Sequence, residues 1–260
     1  MGLRLEVPIF GPASAEAAVL AGASRIELNA KGSYSAGGLT PSIEELAALQ
    51  ELEVPIRVMI RPRGPPSSGA KDFIYSEVEL EAMEQSIHNF RASGLMEKDR
   101  GDGFVLGVLR WTDNEQTAAG PNDHRVVLDV ENCRRLAEAA RPYKTVFHRA
   151  FDELVLAAQS RSALEVLAAC GVDGVLTSGG PGNAAGNIDE LHRILEDAGN
   201  QIEIIVGGGV RSSNIVELTR RIPLLKNKDQ EHWVHSSCLT RAASEAVDEK
   251  EVAAILGELA

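Results

Sequence analysis

Short runs of β-branched and other apolar residues alternate with longer helical patterns eight times along this chain of 260 residues. Such alternation is typical of βα units whose strands form a parallel sheet. The predicted strands are Leu3–Ile9, Arg25–Leu28, Ile56–Ile60, Gly103–Leu109, Thr145–His148, Gly174–Thr177, Ile202–Val206 and Trp233–His235. One (β/α)8 barrel usually takes about 250 residues. We therefore predict that residues 1–260 form a single α/β domain, a (β/α)8 barrel of the TIM type.

The segments between the strands carry signals for the start of a helix. Ser76 and Glu79 have the spacing of a capping box, in which each side chain accepts a hydrogen bond from the other residue's backbone N–H. Thr40 followed by Pro41 is typical of an N-cap and the first helical residue. Both signals predict helices where the alternation requires them.

Two segments interrupt the alternation and are predicted to be loops at the C-terminal mouth of the barrel. Pro62–Lys71 is rich in proline, glycine and serine and follows the third strand. Trp111–Asp123 is polar and follows the fourth strand. Because the loops at this end of such a barrel carry function, both are candidates for shaping a site.

The charge and cysteine content narrow the class of protein. With 38 acidic against 26 basic residues the net charge is −12, which disfavours nucleic acid and anionic membrane surfaces as partners. No apolar stretch approaches the roughly 18 residues of a membrane helix, and the first ten residues lack the pattern of a secretory signal.

The three cysteines are widely spaced, without a CxxC pair. We therefore expect free thiols in a reducing compartment, the cytoplasm.

Polar residues at the carboxyl ends of the predicted strands are the candidates for a site, because apolar side chains fill the layers below them. Glu6 and Glu27 lie among apolar neighbours, and a buried charge costs several kcal/mol unless it is paired. We expect arginines at the mouth to pair with these acids. A purely structural ion-pair network that closes the barrel is the alternative. The predicted ligand-binding residues are Glu6, Asn29, Arg61, Arg63, Ser178, Gly207, Gly208, Gly209, His235 and Ser236.

His148 is the candidate for proton transfer, because it follows a strand and its ordinary pKa is near 6.5. A carboxylate such as Glu27, within hydrogen-bond distance, would set its tautomer and basicity. The alternative is a histidine satisfied by a backbone carbonyl. Arg149 and Asp152 follow it directly, and the predicted catalytic group is Glu27, His148, Arg149 and Asp152.

The glycines Gly207–Gly209, followed by a helix start, indicate an anion site together with Ser236. Barrels of this type often hold a phosphate between the loops after strands 7 and 8, and glycine lets backbone amides approach the anion. A tight turn without a ligand explains the glycines equally well. The partner predicted from this pattern is a small anionic ligand.

No group of cysteines and histidines has the spacing of a zinc site. Cys238 follows the eighth strand near the mouth. It is therefore the one thiol that we consider as a metal ligand.

Six segments of the chain together resemble the CutC family. They are RIEL at 25–28, GGLTPS at 37–42, IRPRG at 60–64, VFHRAFD at 146–152, VLTSG at 175–179 and VHSS at 234–237. They occur in the family's order across nearly the whole chain. The resemblance implies a (β/α)8 barrel, a cytoplasmic protein, a homo-oligomer and a role in copper homeostasis.

The chain departs from the family at two cysteines, since Asn29 and Ile74 stand where relatives carry thiols. Cu(I) prefers thiolate and thioether ligands.

The sequence leaves two main hypotheses for the function: a copper-homeostasis protein that binds or buffers copper, or a barrel enzyme that uses acid–base chemistry on a small anionic or phosphorylated metabolite. A scaffold whose oligomer interface matters is a third, and the fold alone does not decide between them.

Overall fold

Ten strands form in the computed structural model, which describes residues 3–67, 70–112, 125–226, 232–242 and 244–259. In chain order they are β1 (Arg4–Phe10), β2 (Arg25–Asn29), β3 (Ile56–Met59), β4 (Gly103–Leu106), β5 (Leu109–Trp111), β6 (Val126–Leu128), β7 (Lys144–Phe147), β8 (Gly174–Thr177), β9 (Glu203–Val206) and β10 (Trp233–His235). Eight parallel strands close a barrel in the order β1-β10-β9-β8-β7-β4-β3-β2. The predicted (β/α)8 barrel is confirmed.

Helices connect successive barrel strands and pack outside them. They are α1 (Ala15–Leu20), α2 (Ile43–Ala47), α3 (Glu77–Ala92), α4 (Val130–Ala140), α5 (Phe151–Leu156), α6 (Ser160–Ala169), α7 (Ile188–Ala198), α8 (Ser212–Arg221) and α9 (Glu249–Leu259). The main apolar core lies between these helices and the outward strand residues, such as Leu5, Val58 and Phe104. In the part of the chain described, none of the helices is both long and apolar enough to cross a membrane.

The interior of the barrel contains an apolar cluster and, on the adjoining strands, buried charges. Side chains alternate along a strand, so every second residue faces inward. A separate cluster of such residues comprises Met59, Val105, Val146, Leu176, Ile205 and Trp233. Beside it lie Glu6, Arg25 and Arg57, which are all buried. Arg25 and Arg57 were not among the site residues predicted from the sequence.

The predicted fourth strand, Gly103–Leu109, is wrong at its end. β4 stops at Leu106, and β5 leaves the barrel to pair with β6 as a separate antiparallel sheet. At Gly107, between them, an added Cβ would lie only 2.4 Å from Cε1 of His148. Glycine therefore lets the chain pass this imidazole as it turns outward. Of the predicted loop Trp111–Asp123, Trp111 belongs to β5 and residues 113–123 lie outside the described residues.

One predicted helix start is confirmed and the other is wrong. Ser76 caps α3, and its reciprocal bonds with Glu79 complete the capping box. α2 is capped by Ser42 rather than Thr40, again as a capping box, with Glu45. The Thr40 hydroxyl oxygen instead accepts from the backbone N–H of Arg61 at 2.8 Å. Thr40 therefore anchors the end of β3.

Replacing the α3 cap should destabilise the protein modestly. Ser76→Ala removes the acceptor for the Glu79 N–H, and we expect the free energy of unfolding to fall by about 1 kcal/mol. Urea denaturation measures this change. Ser86→Ala on the same helix is the matched control, because the Ser86 hydroxyl only donates back to the Ala82 carbonyl. An equal loss in both variants would contradict the capping role.

Candidate functional site

A cavity of about 720 Å³ opens at the carboxyl ends of the barrel strands. We call it the mouth pocket. Its wall includes these predicted site residues: Glu27, Asn29, Arg61, His148, Arg149, Asp152, Gly208, Gly209 and His235. It also includes Phe10, Tyr34, Met59, Asp72, Phe73, Arg211 and Ser237. Five predicted residues lie outside this wall, and each either bonds to a residue of the wall or is next to one in the chain: Glu6, Arg63, Ser178, Gly207 and Ser236. The barrel thus brings most of the predicted site together.

Glu6 lies beneath the pocket and is held by Arg25 and His235. It accepts from Nε of Arg25, and its Oε1 lies 2.7 Å from Nδ1 of His235. Burial by itself raises the pKa of Glu6, but Arg25 and His235 outweigh it and lower that pKa from 4.5 to about 2. The carboxylate is therefore ionised at neutral pH.

The partner of the buried acid differs from the predicted one. The expectation that arginines at the mouth pair with Glu6 and Glu27 is wrong, because Glu6 pairs with Arg25 inside the barrel. The register of β1 on β2 sets Arg25 directly beside Glu6. Arg25 also reaches Glu203 at 3.0 Å and lies 3.7 Å above the ring of Trp233.

Glu27 is buried in the pocket wall with one oxygen satisfied. Nδ2 of Asn29 donates to its Oε1 at 3.0 Å, while Oε2 has no hydrogen-bond partner among the described residues. Burial raises the pKa of Glu27; the charge on His235 opposes this shift, and that on Glu6 adds to it. Oxygens of Glu6 and Glu27 and a ring nitrogen of His235 lie within 4.8 Å of one another. Two acids and an imidazole therefore converge at the pocket floor.

His148 is a neutral imidazole. The backbone N–H of Ala150 donates to Nδ1 at 3.1 Å, which assigns the ring proton to Nε2. Burial, aided by the charge of Arg61, lowers its pKa from 6.5 to about 3. The expected hydrogen bond to Glu27 is absent, and Nε2 has no partner in the described structure. His148 therefore presents an N–H donor rather than a strong base.

Arg61 and Arg63 are engaged by the chain itself. Arg61 donates to Asp72 at 2.7 Å and to the Gly38 carbonyl at 3.1 Å. It also lies 5.1 Å from the Phe73 ring. Arg63 binds Glu79 and the Ile74 carbonyl, away from the pocket wall. Both arginines thus shape the loop after β3, and neither offers a free guanidinium.

Asp152 organises the loop after β8. Its Oδ1 accepts from Thr177 Oγ1 at 2.6 Å and from Ser178 N at 3.0 Å. Its Oδ2 accepts from Arg149 Nε at 2.8 Å, and Arg149 also donates to Ser178 Oγ at 2.8 Å. With both oxygens occupied, Asp152 orients Arg149 toward the pocket.

The glycines after β9 lie beside two guanidinium groups. A Cβ on Gly208 would lie 3.4 Å from Cζ of Arg149. Arg211, which the sequence analysis did not select, lines the pocket and donates to Ser236 Oγ at 3.1 Å and Ser237 Oγ at 3.2 Å. Its place two residues after the glycines and just before a helix is the signal that could have identified it.

The start of α8 does not form part of an anion site. The Ser212 N–H donates to Glu251 Oε1 at 2.8 Å, so a carboxylate from α9 occupies this helix end. The predicted contribution of the helix start is therefore wrong. Gly208, Gly209, Arg149 and Arg211 all line the pocket.

The sulfur atoms do not fit a Cu(I) site at the pocket. Cys238 is fully buried outside the pocket wall, and burial raises the pKa of its thiol to about 11. Burial also raises the pKa of Cys133. Met59 is the single sulfur-containing residue among the described pocket residues. Cu(I) prefers thiolates. Because burial disfavours the thiolate of Cys238 and the residue lies outside the pocket wall, Cys238 is a poor Cu(I) ligand in this position.

Comparisons with known proteins place this chain beside the family that its sequence motifs resemble. The CutC family profile matches residues 3–228. A CutC family protein from Rhizobium meliloti (strain 1021) is 36% identical, in an alignment that covers 91% of this chain and 81% of the relative. The copper homeostasis protein cutC homolog of Homo sapiens is 34% identical over 82% of this chain and 68% of its own. The crystal structure of CutC from Streptococcus agalactiae superposes with a TM-score of 0.69 at 27% identity, covering 91% and 99% of the two chains. This chain belongs to the CutC family.

Proposed function

We propose that this chain serves copper homeostasis, the role named for its human relative, by binding a small anionic ligand in the mouth pocket. The observation that carries the ligand class is Arg211. Its guanidinium lines the pocket, and no described carboxylate forms a salt bridge with it. An anion would supply the missing counter-charge.

The surroundings of Arg211 support this ligand class. Its side chain is held by hydroxyls of Ser236 and Ser237 and by the Val210 carbonyl. Because the side chain is already held in place, it loses little conformational freedom when a ligand binds. Arg149 lies on the same wall next to Gly208. Planar guanidinium groups bind carboxylates and phosphates through paired N–H donors. A phosphate-bearing molecule matches this arrangement.

Inorganic phosphate is the simplest probe of the pocket. We expect phosphate at about ten times its Kd to stabilise the protein by about 1.4 kcal/mol, measured as a rise in the melting temperature. Arg211→Gln should weaken phosphate binding at least about tenfold, the loss typical of a charged hydrogen bond. Arg161→Gln, at an exposed position, should bind like the parent protein. Equal binding by the Arg211 and Arg161 variants would contradict the proposed ligand site.

Copper tolerance tests the role in the cell. In source cells lacking this gene, the parent protein and Cys238→Ser should both restore growth in excess copper. Arg211→Gln should not, because the pocket loses its unpaired cation. If Cys238→Ser failed while Arg211→Gln succeeded, thiolate binding of copper would replace the pocket as the working site.

A further inference from the structure

Three side chains on adjacent strands meet at the floor of the mouth pocket. Glu6 on β1 lies opposite His235 on β10, and Glu27 on β2 lies opposite Pro8, two residues along β1 from Glu6. One donor atom from each lies within 4.8 Å of the others. From this geometry we propose that Glu6, Glu27 and His235 bind one divalent metal ion of the Zn²⁺ or Mn²⁺ class.

An unsatisfied oxygen points independently to a ligand. Glu27 is 4% exposed, and its Oε2 has no hydrogen-bond partner in the described part of the chain. Buried polar atoms in folded proteins are almost always satisfied, and each exception requires an explanation. A metal ion bound between the two carboxylates supplies the partner.

The neighbouring donors bind other acceptors and leave this oxygen unsatisfied. Arg25 donates to Glu6 and Glu203, and Asn29 donates to the other Glu27 oxygen. Arg61 on the pocket wall is bound to Asp72. None of these groups reaches Oε2 of Glu27. A proton on Glu27 is the rival to a cation, and burial favours it by raising the pKa of this carboxyl.

The donor set defines the class of metal. Two carboxylates and one imidazole suit borderline and hard divalent cations, whereas Cu(I) selects sulfur ligands. Three protein ligands are also the number that catalytic zinc sites use, which leaves a position open. Glu27 and His235 both line the pocket, so an ion here has access to a molecule bound in it. The site does not use Arg211 or the glycines, and it therefore goes beyond the proposed anion and copper functions.

Calorimetric titration of the full chain tests the site. The protein is freed of metal with a chelator and titrated with ZnCl₂, and separately with MnCl₂, in buffer without phosphate or sulfate. We expect at least one of the ions to bind at one per chain with a Kd below about 100 µM. Glu27→Gln should weaken this binding at least about tenfold. Glu153→Gln removes a carboxylate from the same pocket outside the cluster and should bind like the parent protein.

Melting curves separate loss of a ligand from loss of the fold. Without metal, Glu27→Gln should melt no lower than the parent protein, because glutamine removes a buried charge at nearly the same volume. The ion that binds should raise the melting temperature of the parent protein but not that of this variant. If neither ion bound below about 100 µM, or if Glu27→Gln lost less than about tenfold in affinity, the metal site would be overturned and the protonated acid would explain the cluster.

Discussion

The stability advantage of the parent protein over His148→Asn should fall by about 3 kcal/mol between pH 7 and pH 4. The pKa of His148 is lowered from 6.5 to about 3 in the folded state. Between these values the unfolded chain binds a proton that the folded chain does not. Acid therefore favours unfolding as the pH drops below 6.5, and the loss continues toward pH 3. Asparagine keeps an acceptor for the Ala150 N–H while removing the titrating ring.

Urea denaturation at a series of pH values measures this difference directly. Comparison with the variant cancels the contributions of Glu6, Glu27 and His235, which titrate in both proteins. His88→Asn, at an exposed helix position, is the control for replacing a histidine on the surface. A constant difference between the parent protein and His148→Asn would show that the ring is protonated normally in the folded state.

The second large effect is expected from Arg25, inside the barrel. Arg25→Met should lower the free energy of unfolding by about 3–5 kcal/mol at neutral pH, because it leaves the buried Glu6 and the partly buried Glu203 without their shared cation. The contact of Arg25 with the Trp233 ring, at 3.7 Å, is lost as well. For a protein of ordinary stability this is about a fifth or more of the total.

A second substitution should recover part of that loss. Adding Glu6→Gln to Arg25→Met removes the unpaired charge, so the double variant should be more stable than Arg25→Met alone. Arg193→Met is the surface control, because Arg193 is 67% exposed and pairs with Glu190 one turn away. Urea denaturation compares all four proteins. A loss below about 1 kcal/mol for Arg25→Met, the size of an exposed pair, would contradict the structural role of the buried ion pairs.

Much of the candidate site could be predicted because it depends on local patterns. The alternation along β2 places Glu27 and Asn29 on one face, and both line the pocket. His148 and the glycines after β9 follow strand ends, which lie together at one mouth in any parallel barrel. Arg211 was missed although it follows those glycines, because only the structure shows that its described partners are hydroxyls and a carbonyl rather than a carboxylate.

The roles of these residues were harder to predict than their positions. His148 was expected to be tuned by Glu27, yet its tautomer is set by the N–H of Ala150 two residues on. The start of α8 was expected to face an anion, yet Glu251 from α9 occupies it. Both outcomes depend on how the backbone turns after a strand or where a distant helix docks.

The sequence by itself determined the barrel, the strands that close it and the residues that surround its mouth. Periodicity and turn chemistry act between residues that are close along the chain, so they can be recognised without a structure. Only the tertiary structure decided which charges are paired. The register of β1 on β2 places Glu6 opposite Arg25, so Glu6 pairs with Arg25 rather than with an arginine at the mouth. Barrel closure brings His235 against Glu6 across 229 residues of sequence, because strands at the two ends of the chain become neighbours only when the sheet closes.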